Sequence, residues 1–140
     1  MLSKHVIPGR LKSLYSPLWE WVYLVEKICR EWSWKDCPWW YTERALVGTL
    51  AAATWYARGV ALEEYSNQRR SGAERYLGRC DLYLSMGTTK FIIEAKICWC
   101  AIGATARNGG DEVARQLSTA RKEVRGLTRY GERRLGDKGT

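Results

Sequence analysis

At 140 residues the chain has the length of one ordinary domain and too little for two independent cores. Hydrophobic residues at 46%, charged residues at 27% and three prolines exclude a disordered chain and describe one that buries a core. Lys and Arg number 23 against 15 acidic residues, a formal +8 with a pI near 9.4, which favours an anionic partner, nucleic acid being the commonest, or else a merely solvated basic surface.

In chain order, Met1 to Arg10 lacks the apolar core of a signal peptide, and its His5 is the only histidine, which argues against a Ser/His or Cys/His triad. Ser16-Pro17 offers an N-cap and a first-turn proline, and Leu18, Val22, Val25 and Cys29 follow at helical spacing, so a helix should end before Pro38. Trp19, Trp21, Trp32, Trp34, Trp39 and Trp40 crowd this segment. They suit a base-stacking platform, a membrane-surface anchor or a docking face, but the sparse basic residues between them favour a rim of the core that covers the next helix. Residues 1–41 are therefore read as a Trp-rich helical segment packed on the core.

A second helix is predicted from Thr42 to Tyr65, with Thr42 as cap, Glu43 in its first turn and a stripe of Leu46, Leu50, Ala53, Ala57 and Ala61. Its apolar stretch between Arg44 and Arg58 is shorter than the roughly 20 residues a bilayer requires, so no membrane span is expected. Ser66 to Gly78, with Arg69, Arg70 and Arg75, reads as a loop with a short strand around Tyr76. Arg79 to Met86 alternates as a strand, Gly87-Thr88-Thr89 makes a hairpin turn, and Lys90 to Cys100 reads as a longer strand. Gly103 to Gly110 lacks the lysine of a phosphate-binding P-loop and reads as a loop. A last helix is predicted from Asp111 to Gly126, with Val113, Leu117, Ala120 and Val124 inward and Arg115, Arg121, Lys122 and Arg125 outside. A polar tail follows over 128–140. The five cysteines are odd in number, and Cys98-Trp99-Cys100 lacks zinc-site spacing. They are read as buried reduced thiols of a cytoplasmic protein.

Charges inside Phe91-Ile92-Ile93-Glu94-Ala95-Lys96-Ile97-Cys98-Trp99 are unusual, because desolvating them costs several kcal/mol unless partners compensate. Strand alternation puts Glu94 and Lys96 on one face. A two-residue turn sets Asp81 opposite Glu94, and a four-residue turn sets it opposite Lys96; either gathers all three side chains. Two carboxylates with water suit Mg²⁺ or Mn²⁺, and the lysine can orient a water or offset charge on a phosphate, as phosphodiester hydrolysis requires. A plain ion pair on a solvated sheet face is the competing reading.

Gly78-Arg79-Cys80-Asp81-Leu82-Tyr83-Leu84, a turn, and Phe91-Ile92-Ile93-Glu94-Ala95-Lys96 resemble the PD-(D/E)XK nuclease superfamily, the restriction-endonuclease-like fold. The resemblance covers about 42–124. It implies an α/β core over 42–127 with a central mixed sheet flanked by helices, to which the Trp-rich N-terminal helix is an addition. It further implies Asp81 and Glu94 as metal ligands, the Ala95 carbonyl as a further ligand, and Lys96 as the catalytic lysine. Glu43, with Glu64 as fallback, matches the helix glutamate of that family, and Gln116 a glutamine on the following helix. Cys80 stands where the family has proline, the Ser66–Gly78 stretch leaves little room for the strand expected before Asp81, and no apolar strand follows the last helix.

The expected function is a divalent-metal-dependent nuclease acting on DNA or RNA, with Arg69, Arg70, Arg115, Arg121 and Lys122 on the nucleic acid. The alternative is an inactive nuclease-like module that binds nucleic acid or a protein. With only two clear strand signals, an unpaired sheet edge and many tryptophans, a homodimer is also expected.

Overall fold

The computed structural model of the chain describes residues 9–71, 74–99 and 109–136. Helix α1 is Tyr15–Glu31, α2 is Glu43–Tyr56 and α3 is Gly109–Gly136. Strands β1 (Val60–Ser71), β2 (Glu74–Met86) and β3 (Thr89–Ile93) form one antiparallel sheet in the order β1-β2-β3. The protein is mixed α/β, but its sheet is antiparallel rather than mixed. Two residues separate β1 from β2 and two separate β2 from β3, and connections so short join only antiparallel neighbours. The chain divides into two compact units, one of Met1–Glu63 with Tyr83–Phe91, the other of Glu64–Leu82 with Ile92–Thr140.

In the first unit α1 packs on α2. A 3-10 turn, Gly9–Leu14, leads directly into α1, so Ser16 is not its cap; Leu14 holds that place without a side-chain bond, and Pro17 is buried in the first turn, where a missing N–H is harmless. Cys29 at 0% and Cys37 at 4% exposure join Val47, Leu50, Ala51, Ala53 and Thr54 in the core. The cap of α2 is as expected, with Thr42 Oγ1 accepting the Ala45 N–H at 3.3 Å.

Helix α1 ends before Pro38 as expected, α2 stops earlier than its apolar pattern suggests, and both end in the same way. Arg58 takes a left-handed φ of 63°, and its N–H and that of Gly59 bond back to the carbonyls of Trp55 and Thr54 at 3.0 and 2.8 Å. At the end of α1, Ser33 at φ 52° and Trp34 bond back to Arg30 and Cys29 at 2.9 and 2.7 Å. These paired bonds are Schellman terminations, which usually place glycine where Arg58 and Ser33 stand. The predicted helix to Tyr65 is thus cut at Tyr56, and Ala61 belongs to β1. Gly59 allows the turn, since a Cβ there would run into Met86 Sδ and lie 2.7 Å from the Ser85 carbonyl oxygen.

The tryptophans depart from the expected rim of the core. Trp21 anchors to α2 by donating its indole N–H to Thr49 Oγ1 at 2.8 Å. Trp19, Trp32, Trp34, Trp39, Trp40, Trp55 and Trp99 are all exposed. A groove of about 390 Å³ in this unit is lined by Trp21, Val22, Val25, Cys29, Trp34 and Trp39.

Most of the stretch read as a loop, Ser66 to Gly78, is strand: it closes the β1-β2 hairpin, whose polar residues satisfy a backbone ladder without apolar alternation. The strand missing before Asp81 is therefore present. On β2 the expected alternation holds, with Cys80, Leu82 and Leu84 fully buried, Asp81 and Tyr83 half-buried and Arg79 exposed. The β2-β3 turn is the two-residue Gly87-Thr88, with Gly87 at φ 58°. β3 ends at Ile93, well short of the predicted Cys100, and residues 94–99 continue without regular structure. Helix α3 runs beyond both ends of its predicted span, 111–126. His5, most of the Gly103–Gly110 loop and residues 137–140 of the tail lie outside the described residues. Among the described residues no helix is long and apolar enough to cross a membrane, and Cys29, Cys37, Cys80 and Cys98 form no disulfide.

Candidate functional site

In the second unit, alternation on β2 points Asp81 away from the buried face of Cys80 and Leu82. The two-residue turn puts position 94 opposite position 81, the first of the two registers considered. Asp81 Oδ2 accepts the Ala95 N–H at 2.7 Å. A side chain here takes the donor that a longer ladder would have used, which accounts for the early end of β3.

Glu94 and Lys96 meet, with Lys96 Nζ 3.2 Å from Glu94 Oε1. The same ammonium lies 2.8 Å from Oε2 of Glu123 on α3. The Glu94 side chain is 5% exposed, whereas Lys96 and Glu123 retain 23% and 32%. Burial, the hydrogen bond with Glu123 and the charge of Asp81 push the Glu94 carboxyl up to about 7, against the downward pull of Lys96. Burial alone would lower the Lys96 ammonium, but Glu123 and Glu94 hold it above its ordinary value. The ion pair of Lys96 with Glu94 is present, joined by Glu123 and with the Glu94 side chain nearly enclosed rather than on a solvated face.

Glu123 was missed in the sequence. The α3 face was predicted from its apolar residues, yet Val113 and Leu117 are 42% and 65% exposed, while Glu112, Gln116, Ala120, Glu123 and Val124 are half-buried. The signal lay in the spacing of Glu112, Gln116 and Glu123, which share one helical face. Gln116 donates to Glu112 Oε1 at 3.0 Å. Arg115 grips the same carboxylate at 2.8 and 2.5 Å, and with Gln116 it lowers the Glu112 pKa.

The other expected residues are dispersed. Glu43 is half-buried in the first turn of α2, within the first unit. Arg121, Lys122 and Arg125 are exposed on α3. Arg69 and Arg70 lie on β1 instead of a loop, and their side chains are outside the described residues.

Among the described residues no group of three His, Cys, Asp or Glu is arranged to hold a metal ion. Asp81 and Glu94 are the residues that would hold a hard cation such as Mg²⁺, whose sites use one or two carboxylates with water and substrate phosphate in the remaining positions. Such an ion would supply charge to a phosphate and acidity to its water. No family of known proteins, no curated protein and no solved structure matches this chain.

Proposed function

We propose that the chain is a divalent-metal-dependent nuclease that hydrolyses phosphodiester bonds of DNA or RNA. The observation that carries this reading is the bond from the Ala95 N–H to Asp81, which ties the acid of one strand to the Glu94-Ala95-Lys96 segment that follows the next. Asp81 and Glu94 would hold Mg²⁺ or Mn²⁺. Lys96, standing 3.2 Å from Glu94 and 2.8 Å from Glu123, orients the attacking water or offsets charge on the phosphate, and Glu123 fixes the ammonium between two carboxylates. The order helix, three strands, helix from α2 to α3 agrees with a PD-(D/E)XK core, and the restriction-endonuclease-like fold is part of the proposal. The basic side chains of α3 supply attraction for a polyanion.

Purified protein is expected to cut DNA or RNA with Mn²⁺ or Mg²⁺, and Asp81→Ala or Lys96→Ala to lose that activity while melting cooperatively. Unchanged cleavage in either variant would sink the assignment. A second reading, an inactive module, is favoured by the partners that Asp81 and Glu94 already hold, the Ala95 N–H and the Lys96 ammonium. That reading prevails if calorimetry finds no Mn²⁺ binding while salt-sensitive nucleic-acid binding persists.

A further inference from the structure

Glu64 lies within β1 with a left-handed φ of 51°, a conformation that costs a non-glycine residue roughly 1–2 kcal/mol. Its carboxylate meets Arg79 of β2, Nη1 to Oε2 at 2.8 Å. A solvated ion pair is worth too little to require such a backbone. Left-handed residues inside strands re-aim a side chain, and they recur next to functional sites.

Arg79 is two residues from Asp81 on the same face of β2, about 7 Å along the strand. β2 is the central strand. Asp81 binds across to Ala95, beyond β3, whereas Arg79 is drawn the other way, towards β1. The guanidinium is therefore displaced from the Glu94–Lys96 cluster both along the strand and across the sheet, by about one strand spacing of 4.8 Å. Its side chain is 71% exposed. A planar guanidinium, paired with Glu64 and largely exposed beside the cluster read as the cleavage site, is the chemistry that grips a phosphate.

We propose that Arg79 binds a backbone phosphate flanking the one cleaved, and that Glu64, through its left-handed backbone, is the positioning residue for that guanidinium. The inference rests on the nuclease reading and assigns it a substrate subsite. The subsite is sequence-independent, since a phosphate contact sets the register of the strand without reading bases.

The test uses the whole chain with a short labelled DNA duplex and its RNA counterpart, measuring binding with Ca²⁺ over a salt series and cleavage with Mn²⁺. Arg79→Ala is expected to weaken binding about tenfold and to reduce the slope of log K against log salt by about 0.9. It should raise KM and leave kcat nearly unchanged, because the contact is to a phosphate that does not react. Arg79→Lys should restore the slope without the full affinity. Glu64→Gly relieves the backbone, so the protein folds at least as well. By charge alone, losing a carboxylate beside a polyanion tightens binding, whereas losing the guanidinium's position weakens it. Weaker binding and a higher KM in Glu64→Gly support the assignment; tighter binding overturns the role of Glu64. An unchanged slope and KM in Arg79→Ala, with wild type cleaving, overturns the subsite alone. A wild type that neither binds nor cleaves overturns the nuclease reading and the subsite with it.

Discussion

Among the described residues, Glu94 carries a strongly perturbed carboxyl. Its carboxyl is raised first by burial, then by Glu123 and Asp81, so its folded value of about 7 lies above the ordinary 4.5. The folded chain therefore holds this proton more tightly than the unfolded chain does. The resulting contribution to stability is complete below about pH 4.5 and is lost as pH rises through about 7. Melting the metal-free protein from about pH 5 to about pH 8 should show Tm falling in wild type and a flatter profile in Glu94→Gln. Parallel profiles would contradict the assigned environment. In the proposed nuclease, a cation held by Asp81 and Glu94 would displace the same proton. Calorimetric titration with Mn²⁺ at neutral pH, in two buffers of different ionisation enthalpy, should therefore report proton release that disappears in Glu94→Gln.

At the scale of elements, the helix ends concentrate the strain. Arg58 closes α2 in the left-handed region with no glycine to relieve it. Arg58→Gly removes that cost, less the extra entropy of an unfolded glycine, and should stabilise by about 0.5–1 kcal/mol. Thermal melts should then shift upwards by about 3 °C, and a downward shift would contradict the capping account. The next residue behaves oppositely. A methyl on Gly59 would meet the Ser85 carbonyl oxygen at 2.7 Å, and backbone cannot yield as a side chain can. Gly59→Ala should cost about 2 kcal/mol, read as a clear loss of Tm.

At the scale of the whole chain, the first unit presents an aromatic surface, with Tyr15 and Trp19 stacked 6.3 Å apart on α1 and Trp34, Trp40, Tyr41 and Tyr56 also exposed. Apolar area left open to water is stabilised by association. We propose a homodimer, for which light scattering should give about twice the 16.1 kDa chain mass. A monomer throughout a dilution series would exclude it.

Several features were legible in the residues alone. Alternation of Asp81 and Tyr83 with Cys80, Leu82 and Leu84, the Thr42 cap and the hairpin at Gly87-Thr88 all rest on local periodicity or on the preference of one residue for one backbone position. The pairing of Glu94 with Lys96 was legible too, since charges in an apolar run require a partner. Tertiary structure decided the rest. The end of α2 depends on Arg58 adopting a conformation that its type disfavours, which packing imposes and no pattern announces. The β1 strand carries too little apolar alternation to be read, because its hydrogen bonds, rather than its side chains, make the ladder. Glu123 was hidden because the buried face of α3 was sought among apolar residues. A helix can turn carboxylates inward only where another element supplies the countercharge, and here Lys96 does so across a gap of 27 residues in sequence.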